Sequence, residues 1–232
     1  IKAGVVDVEM LTDHAIAAIL VETAKKENIK FILSGDNFPT ENGMPKDWTW
    51  LKNDKANIVD INKKFENIEI KKFPLLGIYE YLYFIFFSKI KVVYILNKIN
   101  YRKYNALKIL EDKVNFQKYE NKHEESIFTK FYQNIYLKQK FKIDKKIAHL
   151  SALIRNNEIT KAKAKLIIKD SDNINENDDE KKFVCEKLDF TVNDMNKIIN
   201  SPIRKHFDFK TSHKMISIFF KIKNFFGIKI FK

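Results

Sequence analysis

Cysteine, proline and glycine are scarce in this 232-residue chain, at one, four and five copies. A lone Cys185 excludes an internal disulfide and a cysteine-based zinc cluster within the chain. That usage fits a reducing compartment, and a cytoplasmic location is the expectation. The chain opens at Ile1 without a charged-then-apolar signal pattern, so it reads as incomplete at its N-terminus. Long apolar runs are missing too. The densest stretch, 73–99, contains Tyr81-Leu82-Tyr83-Phe84-Ile85-Phe86-Phe87, but Glu80, Lys89 and Lys91 interrupt it. It falls well short of the roughly 20 consecutive apolar residues that span a bilayer. No transmembrane segment is expected, and the stretch reads as a buried helix followed by a buried strand.

Negative charge is in the minority: 43 Lys and Arg face 30 Asp and Glu, a formal net charge of +13. Such a balance suits nucleic acid or an acidic membrane. The cations are dispersed, however, and Lys, Asn, Ile and Phe are abundant while Arg is scarce, the usage of an AT-rich genome. No specific nucleic-acid partner is expected.

Thr12 is expected to cap a helix through Ala15, Ile16, Ile19, Leu20 and Ala24. An apolar strand over 29–33 follows and ends in Ser34-Gly35-Asp36-Asn37. Helix, buried strand and polar turn form the repeating unit of a doubly wound α/β sheet, where ligands bind beyond the carboxyl ends of strands. The aromatic helix, a strand over 90–96 and a helix over 102–113 make a second such unit. The stretch 171–180 is acidic and aperiodic, the signature of a linker. Thr191 with Asp194 marks a capped helix start running to Ile199 before Pro202. In the tail, Ile216, Phe219, Phe220 and Phe226 alternate with Lys221, Lys223 and Lys229. It suits either an anionic membrane or docking of its Phe face on protein, and docking is preferred.

Two polar strings carry the chemistry. The first is Lys122-His123-Glu124-Glu125-Ser126-Ile127-Phe128-Thr129-Lys130-Phe131-Tyr132-Gln133. Its apolar residues Ile127, Phe128, Phe131, Tyr132, Ile135 and Tyr136 recur at helical spacing, while Ser126, Lys130 and Gln133 share another face. The second is Asp144-Lys145-Lys146-Ile147-Ala148-His149-Leu150-Ser151, with Asp144 as N-cap and Ile147, Leu150 and Ile154 as the apolar stripe. Lys145 and His149 stand one turn apart. Together the strings resemble the N-acetyl sugar amidotransferases, bacterial enzymes that convert a sugar acetamido group to acetamidino for surface polysaccharide or flagellin glycans. The resemblance runs from about Asp7 to Leu166. It includes Asp7-Val8-Glu9, Thr12-Asp13-His14-Ala15, the 34–37 turn and Leu96-Asn97-Lys98-Ile99-Asn100-Tyr101, with a weaker echo at His206-Phe207-Asp208-Phe209.

The resemblance implies an α/β fold class: the C-terminal part of a doubly wound parallel sheet of PP-loop (HUP-like) type, followed by a helical C-terminal region. Composition adds the boundaries: a main domain is expected over 1–170, an acidic linker over 171–182 and a small helical extension with a basic tail over 183–232. The activity implied is ATP-dependent, with Mg²⁺, on a nucleotide-linked or free N-acetyl sugar. Ammonia would come from glutaminase and cyclase-like partners. Implied catalytic residues are Glu125, Ser126, Lys130 and His149. Lys130 would stabilise developing negative charge and Glu125 would take a proton from ammonia. Lys122, His123, Gln133 and Lys145 would bind substrate. Ser34, Gly35, Asp36 and Asn37 would contact the nucleotide, with Asp36 as the Mg²⁺ ligand. Each has a plainer reading: a solvated helix face, a structural histidine, a strand-to-loop turn. Asp7, Glu9, Asp13 and His14 form an acidic cluster able to orient a cation, though their spacing fits no metal motif, and Asp13 also suits a helix N-terminus.

Some of the family's turns are replaced here. Tyr94-Ile95, Glu120-Asn121, Leu137-Lys138 and Arg155-Asn156-Asn157-Glu158 stand where the family has Gly- or Pro-containing turns or other polar signatures. No Ser-Gly-Gly-x-Asp-Ser loop exists among the five glycines, so the chain alone is expected to lack half of a phosphate cradle. Two rival readings stay open: a PP-loop RNA-modifying enzyme, and a non-catalytic remnant or binding module.

Overall fold

A computed structural model describes residues 1–117, 126–172 and 178–225. In chain order the elements are α1 (Met10–Lys26), β1 (Phe31–Ser34), α2 (Phe38–Glu41), α3 (Lys55–Phe65), α4 (Ile78–Phe87), β2 (Lys91–Tyr94) and α5 (Lys103–Val114). Then come α6 (Ile127–Phe131), which continues as a π-helix over Tyr132–Phe141, α7 (Lys145–Arg155), α8 (Lys161–Asp172), α9 (Asp178–Lys187), α10 (Val192–Asn200) and α11 (His213–Phe225).

Asparagine does the work that glycine usually does. Among the described residues, six non-glycine positions have positive φ: Asn28, Asn67, Asn115, Lys142, Asn157 and Asp189. Every one lies just past a helix C-terminus. A left-handed residue there lets the next amide bond back onto the last turn, as in Ile29 N–H to Ala24 O (2.9 Å) and Phe190 N–H to Cys185 O (2.9 Å). Asn tolerates this conformation better than other side chains. The chain therefore ends its helices sharply despite its few glycines.

Two compact units are interleaved along the chain. The first takes Ile1–Gly35, Thr49–Ile95 and Arg204–Lys232, and the second takes Asp36–Trp48 and Leu96–Ile203. This division follows contacts, whereas boundaries near 170 and 182 follow composition.

In the first unit β1 and β2 pair in parallel, with Phe31 opposite Lys91 and Ser34 opposite Tyr94. The strands are shorter than expected and are not buried: Phe31 is 58% and Leu33 71% exposed. Parallel strands bury both faces only when helices cover both. Here the apolar packing lies in the helices, where Ala18, Val21 and Leu76 meet Tyr81 and Phe84 of α4. α4 is accordingly one-sided rather than buried, since Tyr79 and Phe87 face outward. At α1 the cap position belongs to Glu9, so Thr12 sits inside the first turn. No described helix is long and apolar enough to cross a membrane.

The second unit is helical. Phe131, Tyr132, Ile135, Tyr136 and Leu137 are buried along the α6–π segment. Leu150, Leu153, Ile159 and Ala164 form a cluster where α7 meets α8. Ile127 and Ile147, both expected inside, are exposed. Each is the first apolar residue of its stripe and lies within three residues of its helix start, at the edge of the packed surface. Asp144 caps α7 by accepting the Lys146 N–H at 2.9 Å, and Thr191 with Asp194 closes a capping box on α10. The stretch 171–180 is helical at both margins, in α8 to Asp172 and α9 from Asp178, and 173–177 lie outside the described residues.

Candidate functional site

The first unit has a buried polar centre. Asp7, wholly buried, accepts the Trp50 N–H and the Lys52 ammonium through Oδ2, both at 2.7 Å. Lys52 Nζ also reaches Asp13 Oδ2 at 2.8 Å. Burial disfavours the Lys52 charge, but Asp7 and Asp13 outweigh it and raise the pKa. The cation oriented by this acidic cluster is thus a lysine. Among the described residues no group of three or more His, Cys, Asp or Glu side chains could hold a metal ion.

His14 receives the Leu76 N–H on Nε2 at 2.9 Å, so its proton sits on Nδ1 and is donated to Lys52 O at 2.9 Å. Asp54 caps α3 and also accepts Trp50 Nε1 (3.1 Å), Ser212 N–H (2.9 Å) and the Thr211 hydroxyl. Asn57 Nδ2 donates to His206 O at 2.9 Å, which leaves its Oδ1 to accept the His206 Nδ1–H at 2.7 Å. Trp50 stacks on His206 with ring centroids 4.7 Å apart. Burial pushes both imidazole pKa values down, His206 to about 4. This network fastens the segment from Arg204 onto α3 and the start of the chain.

The second unit holds the two strings. Ser126 is the N-cap of α6, accepting the Thr129 N–H at 3.3 Å. Lys130 pairs with Glu180 of α9 at 2.5 Å. Gln133 falls in the π-helix, whose i→i+5 bonding widens the turn. Ten π residues are unusual, because such turns are mostly single and often mark functional sites. Lys145 is buried, with Nζ 4.8 Å from the centre of the buried Tyr132 ring, a cation–π contact joining the two strings. His149 lies half-buried one turn along α7. Burial drives the Tyr136 phenol pKa well upward, so it stays protonated. Lys122, His123 and Glu125 lie outside the described residues.

The turn 34–37 spans both units, with Ser34 and Gly35 in the first and Asp36 and Asn37 in the second. Asn37 accepts Thr40 N–H (2.9 Å) and the Thr40 hydroxyl (2.8 Å), while the Phe38 N–H bonds Asn97 Oδ1 at 2.8 Å. The Phe38 and Thr40 amides are thereby engaged, and α2 has only four residues. A Cβ at Gly35 would meet open space, so no close approach demands glycine there.

With Ser126–Gln133 and Asp144–Ser151 placed on consecutive helices of one unit, the comparison with known families becomes informative. Residues 125–223 match the family described as LPS biosynthesis protein WbpG-like, C-terminal domain. The match takes in α6 to α10 and most of α11, under half of the chain. No curated protein matches the chain, and no solved structure does. Sequence reasoning missed Lys52, Trp50, Asp54, Asn57 and Lys140. Of these, only Asp54 carried a local signal, as an N-cap type ahead of α3. Lys140 Nζ closes the end of α10 by donating to Ile198 O (2.8 Å), Ile199 O (3.2 Å) and Ser201 O (2.6 Å).

Proposed function

We propose that the chain serves lipopolysaccharide or related surface-glycan biosynthesis, as the C-terminal part of an ATP-dependent N-acetyl sugar amidotransferase. The observation that carries this reading is the family match over 125–223, which encloses Ser126–Gln133 and Asp144–Ser151 on two consecutive helices. In the reaction the acetamido C=O is replaced by C=NH: ammonia from a partner glutaminase adds nitrogen and the oxygen departs. ATP and Mg²⁺ would activate that oxygen, and no described residue set of this chain is assigned to hold them. The same chemistry would serve flagellin sugars.

Within this reading the residues divide into positioning and substrate-facing groups. Ser126 caps a helix, Asn37 caps another, and Lys145 is packed on Tyr132, so these act by positioning. Gln133 and His149, both half-buried, are the substrate-facing candidates, and Lys130 acts with Glu180. The experiment is genetic and chemical. Cells lacking this chain should carry acetamido groups where the parent carries acetamidino, read by mass spectrometry of the surface glycan. An unchanged glycan overturns the reading. Because the sequence carries no Ser-Gly-Gly-x-Asp-Ser loop, calorimetry of the isolated chain should detect no micromolar Mg-ATP binding, and clear binding would place a nucleotide site within this chain.

A further inference from the structure

From Arg204 to Lys232 the sequence carries eight Lys or Arg and one acid, Asp208. Asp208 is already engaged, accepting the Lys205 N–H at 2.8 Å. Within this stretch α11 docks through Ile216, which is buried, yet Met215 and Ile218 remain 46% and 57% exposed. Lys214, Ile218 and Lys221 recur at i, i+4 and i+7, on the side of the helix away from Ile216. Beside them lies a hollow of about 320 Å³ lined by Leu51, His213, Ile216, Ser217, Phe220 and Lys221.

We propose that this face of the first unit docks on an anionic phospholipid surface. Met215 and Ile218 enter the acyl boundary, Lys214 and Lys221 lie at phosphate level, and the hollow beside Lys221 accepts a lipid phosphate. Charge selects the partner: cations interleaved with large apolar side chains match an acidic membrane interface, where amphipathic helices lie in the plane. Nucleic acid would use the cations but has no use for exposed Met and Ile, since bases stack on aromatic rings. This inference goes beyond the proposed reaction and does not depend on it.

The test is co-sedimentation of the whole chain with phosphatidylcholine vesicles, with and without phosphatidylglycerol. Binding is expected only with phosphatidylglycerol. Changing both Lys214→Ala and Lys221→Ala should weaken partition about 30-fold. Ile218→Asp should abolish it, and all variants should melt as the parent does because these side chains are exposed. Equal partition onto neutral vesicles, or indifference to the substitutions in the folded variants, overturns the proposal. So does displacement from the vesicles by single-stranded RNA, which would make the partner a nucleic acid.

Discussion

The two units have apolar clusters in common but weight their cores differently. The first buries polar side chains, with Asp7, His14, Asp54, Asn57 and His206 all inside, and leaves Phe31, Leu33, Tyr79 and Phe87 outside. The second buries aromatic and aliphatic side chains, with Phe131, Tyr132, Tyr136 and Leu137 almost inaccessible. Directional bonds hold the first, and each buried polar group is costly to strand. Close packing holds the second, and its cost scales with the volume removed. The lesson is that the units should respond to different insults. Charge and pH should loosen the first, and loss of volume should loosen the second.

Asp54→Ala should be the harshest test of that contrast. Its carboxylate receives Trp50 Nε1, Ser212 N–H, Asn57 N–H and the Thr211 hydroxyl, so removal strands several buried donors at once. A loss of about 4 kcal/mol is expected in urea unfolding. Phe131→Ala should come next at about 3 kcal/mol, as a cavity inside the α6–π segment. Hydrogen exchange should place the first loss in α3 and the segment after Arg204, and the second in α6 to α10. If either substitution loosens both units equally, the contrast fails.

Local signals were legible in the sequence and long-range ones were not. Asp144, Thr191 and Asp194 were readable as caps because a cap's partners lie within three residues. The helix of α5 was readable from its periodicity. Asp54 bonding Thr211 and Ser212, over 150 residues away, leaves no trace in a local pattern. The strand pair was readable as apolar runs, but its burial was not, because burial depends on what covers a face. For the site, Ser126–Gln133 and Asp144–Ser151 lie on consecutive helices, while the Lys145–Tyr132 contact between them and the Lys140 cap join residues distant in sequence and leave no local pattern.

Acid should sharpen the contrast. His14 and His206 are neutral in the fold with pKa values held below the ordinary 6.5 by burial. The unfolded chain then binds more protons between the two values, so stability is complete above about 6.5 and falls as pH drops toward 4. His206, lowered to about 4, accounts for at most about 3 kcal/mol over that window. A proton on His14 Nε2 would also face the Leu76 N–H, donor against donor. Melting followed from pH 7 to pH 4 should lose the first unit before the second. His206→Gln should flatten most of that slope, and an unchanged slope would place the pH sensitivity elsewhere.

The smallest effect on stability, and the most discriminating, belongs to Lys130. As a solvated helix residue it would be replaceable at almost no cost. In the fold its ammonium meets Glu180 of α9 at 2.5 Å, with the glutamate side chain largely covered. A partly covered ion pair is worth about 1 kcal/mol, and removing one partner leaves the other charge poorly solvated. Lys130→Ala should therefore cost about 1 kcal/mol. Glu180→Gln should cost about the same, and the double variant should cost little more than either, the non-additivity expected of a shared contact. Turnover separates the roles. If Lys130 only joins α6 to α9, both single variants lose amidination in proportion to folding. If its charge also stabilises the reacting oxygen, Lys130→Ala loses roughly 10²-fold in rate at a temperature where the variant is fully folded. Glu180→Gln, which keeps the ammonium, loses far less. Additive stability changes would show that the pair contributes nothing, and the docking of α9 on α6 would then rest on apolar packing alone.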